Sequence, residues 1–159
     1  MTPEDFTTIG TFLDSCGTLT LATYGPAGPW AASLFFARDR QLNLYFISSR
    51  KSRHVQDLLA SGTVAVTVNA DHKEWKGIRG LQIYGAAERL DQDERPEAEG
   101  LYLQKFTDLR QLLSAPSTAA ERMISHEFQA SDFYRIRPAT IRMIDNTKGF
   151  GHIEEFLPS

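Results

Sequence analysis

The sequence contains a single cysteine, Cys16, among 159 residues. One thiol excludes a framework of disulfides within the chain and fits the reducing cytoplasm. Cys16 precedes an apolar segment, residues 19–24, and this position favours a buried structural thiol over a nucleophile. The chain has no apolar run of about 18 residues, and no basic segment followed by an apolar core at its start. We therefore expect a cytoplasmic protein without a membrane partner.

The motifs of several large enzyme classes are also absent. The sequence has no Gly-x-Ser-x-Gly, no P-loop and no Gly-x-Gly-x-x-Gly, which removes the usual indications of a hydrolase, a nucleoside triphosphatase and a dinucleotide-binding fold. The formal net charge of −3 disfavours nonspecific nucleic-acid binding, which normally uses a basic surface. His72, His126 and His152 lack the spacing of zinc ligands, so the sequence predicts no metal site.

The chain does contain a succession of short strand patterns. Three strands separated by short turns favour an antiparallel meander over alternating β-α units. Strand patterns occupy residues 18–24, 30–37, 42–47, 63–68, 78–90 and 133–144, and helical patterns occupy residues 2–16, 51–60, 91–106 and 118–128. The sequence therefore predicts one domain over residues 1–159, mainly β, in which about six strands form a small barrel with added helices.

The longest strand pattern, residues 78–90, also predicts which of its residues share a face. Gln82 and Tyr84 share one face, while Leu81 and Ile83 share the other. A glycine inside a strand, here Gly85, indicates a bulge or a close approach of another backbone.

Serine and basic residues are concentrated between the strand at 42–47 and the helix at 51–60. The first turn of a helix has unpaired N–H groups and the positive end of the helix dipole. A phosphate placed there would meet these donors, together with serine hydroxyls and an arginine. The alternative is a solvated basic turn in which Ser49 or Ser52 caps the helix. The residues of this segment are Ser48, Ser49, Arg50, Lys51, Ser52, Arg53 and His54.

Three stretches of the chain resemble a known superfamily. The pattern Ser-x-x-x-Ser-Arg-His between a strand and a helix, starting at Ser48, is similar to the phosphate-binding segment of the FMN-binding split-barrel superfamily, the fold of pyridoxamine 5′-phosphate oxidase. The strand Arg-Gly-Leu-Gln-Ile-Tyr-Gly at 79–85 and the ending Asp-Asn-Thr-Lys-Gly-Phe-Gly at 145–151 resemble its YhbP-like bacterial branch.

The resemblance implies a six-stranded antiparallel Greek-key split barrel with flanking helices. It also implies a homodimer that binds one FMN in each of two clefts between subunits. Ser48 falls where the family uses Thr or Ser, Arg53 falls on the arginine that grips the FMN phosphate, and His54 stands where the oxidases have a lysine. The oxidases' ring-binding glutamine falls on Gly80, and Gln82 points the same way two residues later.

This sequence differs from the oxidases of the family at residues that they use for their activity. The stretch 31–37 has neither the Arg nor the Lys that the oxidases bring to the cofactor, so we do not expect pyridoxamine phosphate oxidation. We predict an FMN-binding protein of the oxidoreductase type, in which Ser48, Arg53 and His54 hold the phosphate, Lys51 adds positive charge and Gln82 lies beside the ring. The cofactor-binding residues are Ser48, Ser49, Lys51, Ser52, Arg53, His54 and Gln82. The sequence identifies no catalytic acid or base and no substrate.

Two alternatives use the same barrel. One is a carrier or sensor that binds flavin or haem without turnover, in which His126 or His152 would be the axial ligand of a haem. The other is a dimeric relative whose cleft binds no ligand. Trp30 and Trp75 could stack on a flavin or lie at the edge of the core or at a dimer contact. Segment 149–151 could bring backbone close to a cofactor or close the last corner of the barrel.

Overall fold

The computed structural model describes residues 1–158, which form one sheet of eight strands and five α-helices. The strands are β1 (Thr18–Gly25), β2 (Gly28–Phe35), β3 (Ala37–Arg38), β4 (Leu44–Ser48), β5 (Thr63–Asn69), β6 (Arg79–Arg89), β7 (Asp132–Asp145) and β8 (Ile153–Phe156). The helices are α1 (Pro3–Ser15), α2 (Arg53–Ser61), α3 (Arg95–Lys105), α4 (Thr107–Ser114) and α5 (Ala119–Ala130).

The sheet is curled so that its two edges come together. The strand order is β2-β1-β5-β6-β7-β4-β3, with β8 paired to β7. β2 and β3 stand at opposite ends of this order, yet only Phe36 separates them along the chain. In a flat sheet with strands about 4.8 Å apart, they would lie roughly 29 Å from each other, which one residue cannot span. The mainly β class with flanking helices is thereby confirmed.

The strand connections place β4 beside β7 rather than beside the next strand in the chain. β5, β6 and β7 form an antiparallel meander, and β4 pairs antiparallel with β7 while the chain passes through α2 to β5. This is a Greek-key connection. It brings the start of α2 to the joint between β4 and the first residues of β7.

The predicted count of six strands is too low, because two strands are too short to show an alternating pattern. β3 has two residues and β8 has four, and sequence periodicity needs a longer run than this. The strand predicted at 42–47 begins two residues later, since Leu42 has a positive φ of 67°. β6 does alternate as predicted, and its register with β7 shifts between Tyr84 and Gly85, which confirms a bulge.

α2 begins at Arg53, two residues later than the helix predicted at 51–60. Ser52 is extended, with φ −64° and ψ 139°, and its side chain makes no capping hydrogen bond. Its backbone carbonyl accepts hydrogen bonds from the N–H groups of Val55 and Gln56, both at 3.1 Å. Gly62 then ends the helix in the left-handed conformation. Lys51 consequently lies in the turn before the helix.

Two hydrophobic clusters hold the layers together. The first fills the curled sheet and includes Phe36, Phe46 and Tyr134, with Phe12 of α1 packed among them. The second lies outside the sheet, where α3 and α5 pack on β4 and β7 through residues such as Tyr102. Burying a side chain of this size contributes about 1.5–3 kcal/mol. α2, which positions the candidate site, is anchored in the first cluster.

The structure also describes the single thiol, the candidate metal ligands and the length of the helices. Cys16 is buried and free, as predicted for a structural thiol. Among residues 1–158, no group of three or more His, Cys, Asp or Glu side chains is placed to hold a metal ion. In the same range, no helix is both long and apolar enough to cross a membrane.

Candidate functional site

Three polar side chains of the serine-rich segment meet at the start of α2. The Oγ atom of Ser48, at the end of β4, lies 2.8 Å from Nε2 of His54 and 3.1 Å from Oγ of Ser52. β4 ends at Ser48, and the turn that follows folds back over this residue. Side chains four and six positions apart therefore touch. The three groups form a compact cluster of two hydroxyls and one imidazole.

The imidazole of His54 is neutral near pH 7. The side chain is buried, and this burial lowers its pKa below the usual 6.5, while the charge of Asp57 acts in the opposite direction. A neutral imidazole can accept a hydrogen bond from the Ser48 hydroxyl or donate one to it. His54 therefore orients Ser48 rather than supplying a positive charge.

This burial predicts a loss of stability in mild acid. Because the pKa of His54 is lower in the folded state, its contribution to the free energy of unfolding is complete above about pH 6.5. That contribution is lost as the pH falls through the folded-state pKa. We expect the free energy of unfolding to fall more between pH 7 and pH 5 in the wild type than in His54→Gln, as measured by urea titrations. His126→Gln, which changes a side chain that is 80% exposed, is the control and should follow the wild type. Equal pH dependence in His54→Gln and the wild type would contradict the prediction.

Arg53 points away from the hydroxyl cluster, towards the turn between β1 and β2. Its guanidinium carbon lies 4.6 Å from the centroid of the Trp30 ring, and its Nε is 3.9 Å from Oδ2 of Asp57. Nη2 donates to three backbone carbonyls, those of Ala27 at 2.9 Å, Gly28 at 3.1 Å and Pro29 at 3.4 Å. Arg53 thus ties α2 to this turn, and Trp30 serves as its stacking surface.

One atom of Arg53 remains without a partner. Its Nε is buried and makes no hydrogen bond to any acceptor within residues 1–158. A buried donor without an acceptor carries a desolvation penalty of about 1–3 kcal/mol. The nearest oxyanion to this donor is the carboxylate of Asp57, at 3.9 Å, so the two residues form an ion pair without a hydrogen bond from Nε.

Asp57 is the ion-pair partner of Arg53. It is buried and accepts a hydrogen bond from Oγ1 of Thr23 at 3.0 Å. Gly25 leaves room for it: a Cβ atom at this position would lie 1.9 Å from Oδ1 of Asp57. The sequence did not single out Asp57, although its spacing of four residues from Arg53 is that of a helical ion pair.

The other residues of the segment are more open. Ser49 and Lys51 are exposed, and Oγ of Ser49 accepts a hydrogen bond from the N–H of Lys51 at 3.3 Å. Arg50 forms an ion pair with Asp132 at the start of β7. Arg50 is exposed as well but paired, so Lys51 is the exposed cation of this segment that forms no ion pair within residues 1–158.

Gln82 lies elsewhere, on the open face of the curled sheet. Its Oε1 atom accepts a hydrogen bond from Nη1 of Arg142 at 3.3 Å, and it pairs with Thr67 of β5 on its other side. Ser48 pairs with Asp132 and Gln82 pairs with Arg142. Ten positions of β7 separate these two partners, about 33 Å in an extended strand.

Arg142 is a candidate residue that the sequence analysis missed. Its position in the strand pattern at 133–144 was visible, but its place opposite Gln82 depends on the register between β6 and β7. The pair offers an amide and a guanidinium on an exposed sheet face. Such a pair can recognise a planar polar group or a carboxylate.

Solved structures share the fold at low sequence identity. A heme binding protein from Mycobacterium smegmatis matches with a TM-score of 0.73 and 19% identity, covering 99% of this chain and 60% of that one. HutZ, the heme storage protein from Vibrio cholerae, matches with a TM-score of 0.63 and 18% identity, covering 83% of this chain and 88% of that one.

Sequence comparison identifies the family to which the chain belongs. The YhbP protein of Salmonella schwarzengrund, from a family designated UPF0306, is 32% identical over 149 residues, which are 93% of this chain and 90% of the relative. A family model described as pyridoxamine 5′-phosphate oxidase matches residues 7–145. The chain therefore belongs to the pyridoxamine 5′-phosphate oxidase-like family, in its YhbP-like branch.

Proposed function

We propose that this protein binds FMN between the two subunits of a homodimer and uses it in a redox reaction. The observation that carries the proposal is the cluster of Ser48, Ser52 and His54 at the start of α2. The family match supports the same cofactor. The FMN phosphate would occupy the space in front of this cluster.

The donors at the start of α2 suit a phosphate. No side chain caps α2. The N–H groups of Val55 and Gln56 donate to the carbonyl of Ser52, which leaves the N–H groups of Arg53 and His54 at the helix start as donors for an anion. The hydroxyls of Ser48 and Ser52 add two donors. Lys51 and Ser49 lie at the exposed side, where they contribute positive charge and one more hydroxyl.

The proposal needs two subunits because the phosphate site and Gln82 lie far apart in one chain. Their partners on β7, Asp132 and Arg142, are ten positions apart, which is at most about 33 Å along the strand. A ring bound beside Gln82 would therefore belong to a flavin whose phosphate is held by the other subunit. Gln82 and Arg142 would form hydrogen bonds to the polar edge of the ring.

The open sheet face offers a surface for the second subunit. Ala22, Ala31 and Ala65 lie opposite one another on β1, β2 and β5, and Tyr84 continues this row on β6. All four are exposed, Tyr84 to 53%. Small side chains allow another chain to approach closely, and an exposed tyrosine is typical of interfaces.

The bound flavin would carry out the hydride or electron transfer, while the protein holds it and sets its surroundings. β2 presents Ala31 and Ser33 on the open face, with no cation between Gly28 and Phe35. A substrate bound there would lack the positive partners that a phosphorylated amine such as pyridoxamine phosphate needs. We propose a substrate of a different class, and a cytoplasmic setting for the reaction.

Haem binding without turnover is the second candidate, because two structural neighbours are described as a heme binding protein and a heme storage protein. It would need an axial ligand. The His126 side chain is 80% exposed on α5, and Nε2 of His152 lies 3.5 Å from a carboxylate oxygen of Glu154. The serine cluster, by contrast, is an arrangement suited to a phosphate. We therefore favour FMN over haem.

The function is tested by titrating the purified protein with FMN and following the quenching of flavin fluorescence. We expect saturable binding, and we expect Ser48→Ala to weaken it roughly 10- to 100-fold, the effect of losing a hydrogen bond to a charged group. Ser114→Ala removes the same hydroxyl from α4 and should bind like the wild type. Absence of FMN binding together with a sharp Soret band on adding haemin would favour the second candidate. Equal affinity of Ser48→Ala and the wild type would contradict our placement of the phosphate.

A further inference from the structure

The segment at 145–151, which resembles the YhbP-like branch, presents an aromatic ring to solvent. Phe150 is 83% exposed and stands between Gly149 and Gly151, whose φ angles are 141° and 71°. Residues other than glycine rarely adopt such angles. Trp75, in the short helical turn before β6, is 54% exposed, and its ring contacts that of Phe150. Adjoining exposed aromatic rings, unlike single ones, indicate a binding surface.

Asn146 holds the two aromatic residues in place. Its Nδ2 atom donates to the carbonyl of Trp75 at 2.7 Å, and its Oδ1 atom accepts from the N–H of Gly151 at 3.0 Å. Its own N–H donates to the carbonyl of Ile78 at 3.0 Å. Because Asn146 is buried, water competes little for these bonds. Two separate loops thus present their aromatic side chains from one shared base.

Both charged side chains of this segment are in ion pairs. The two pairs are Asp145 with Arg79, at 3.4 Å, and Lys148 with Glu154, at 2.7 Å. On either side of Trp75 in the chain, Glu74 and Lys76 carry opposite charges, and Nζ of Lys76 lies 5.5 Å from the centroid of the indole ring. These groups carry no excess charge of either sign, which suits an uncharged ligand.

The two rings form a corner. The planes of Trp75 and Phe150 lie at 77° to each other, with centroids 5.8 Å apart. A third flat ring in this corner would stack on one ring and meet the other edge to face, and aromatic pairs prefer these two arrangements. An indole ring is rich in electrons, so the best partner for stacking is a ring poor in electrons. An aliphatic ligand would gain neither contact.

We infer that Trp75 and Phe150 bind a flat, uncharged and electron-poor aromatic ring, the chemical class to which quinones belong. The binding is noncovalent. The inference does not depend on flavin binding at the serine cluster, because the two sites lie at opposite ends of β7. Ser48 pairs with Asp132, the first residue of β7, whereas Asn146 follows the last one.

The test is tryptophan fluorescence of the flavin-free, full-length protein, because the chain has only two tryptophans. Trp30→Phe leaves Trp75 as the reporter, and Trp75→Phe leaves Trp30. The probe is 2,3-dimethyl-1,4-naphthoquinone, whose substituted ring positions disfavour addition of the thiol of Cys16. Camphorquinone, a dione with a nonplanar aliphatic cage, is its match. We expect saturable quenching of Trp75 by the naphthoquinone, and only linear, collisional quenching in the other three combinations.

Variants made in the Trp30→Phe background test the second ring. Phe150→Leu should weaken naphthoquinone binding roughly 2- to 10-fold, the effect of losing one aromatic contact. Phe35→Leu is the control, since Phe35 is also exposed and contacts Phe106 edge to face. The Phe106 ring has Tyr102 as a further neighbour, at 4.8 Å. Phe35→Leu should bind the naphthoquinone as the background protein does.

Linear quenching of Trp75 by the naphthoquinone would overturn the inference, as would equal affinity in Phe150→Leu and its background. Sedimentation velocity on the same variants tests a contact between two copies of the chain. Dissociation of a dimer by Phe150→Leu, with unchanged quenching of Trp75, would assign the two rings to that contact and also overturn the inference.

Discussion

Replacing Gly85 with alanine is expected to lower the free energy of unfolding by about 3 kcal/mol. A Cβ atom at this position would lie 2.2 Å from the carbonyl oxygen of Arg137 and 3.1 Å from Cα of Pro138. Both atoms belong to the backbone of β7, so no side-chain rotation can relieve the overlap. Opposite the bulge, whose extra residue is Ala139 of β7, only a glycine lets β6 and β7 approach this closely.

The measurement is the midpoint and slope of urea unfolding, with Gly100→Ala as the matched control. Gly100 lies inside α3, and a Cβ atom there would meet nothing within 4 Å. That exchange should raise stability by about 0.5–1 kcal/mol, the difference in helix propensity between the two residues. Gly85→Ala should also melt roughly 6–12 °C below the wild type. An unchanged midpoint for Gly85→Ala would show that the two strands are further apart than described.

Replacing Arg53 with methionine is expected to destabilise the fold by about 2–3 kcal/mol, whether or not FMN is present. The methionine keeps the apolar stem against Trp30 but removes the hydrogen bonds to the β1–β2 turn. It also leaves the buried carboxylate of Asp57 without its positive neighbour. Since Arg53 is about one-third exposed, the effect should stay below that of a fully buried pair.

A double-mutant cycle with Asp57→Asn identifies the cause. The asparagine keeps an acceptor for Thr23 and removes the buried charge, so Arg53→Met should cost less stability in that background. Stability is measured by urea unfolding and FMN affinity by fluorescence in the same samples. Weaker FMN binding at temperatures where Arg53→Met is fully folded would assign Arg53 a second role at the phosphate. Wild-type stability in Arg53→Met would contradict its role as the link between α2 and the turn.

Local sequence signals predicted local structure well. Thr2, Pro3 and Asp5 predict the start of α1, and the structure has Thr2 and Asp5 in a reciprocal capping box. Thr118 and Glu121 form the same box at α5. Gly85 predicted a bulge or a close backbone approach, and the structure has both, a bulge on β7 and the backbone of Arg137 beside Gly85. The errors, the late start of α2 and the missing β3 and β8, occur where a segment is short or where a turn decides the boundary.

The candidate site could be predicted only in part, because its geometry depends on distant pairings. The sequence marked Ser48, Ser52 and His54, and the structure brings these three together. It could not show that Arg53 reaches back to residues 27–29, or that Gln82 lies opposite Arg142. Those placements follow from strand register and from how α2 packs on β1, neither of which has a local signature.

The pairing of β4 with β7 governs the order in which this protein can fold. Ser48 meets Asp132, so 83 residues lie between the two partners, and closing so long a loop is slow. During synthesis the edge of β4 stays unpaired until the final third of the chain has left the ribosome, and a free edge is a template for aggregation. α3, α4 and α5, which lie between the partners, cover this region only after β7 arrives. The serine cluster therefore gains its final shape late, so a newly made chain has to be almost complete before the proposed phosphate site forms.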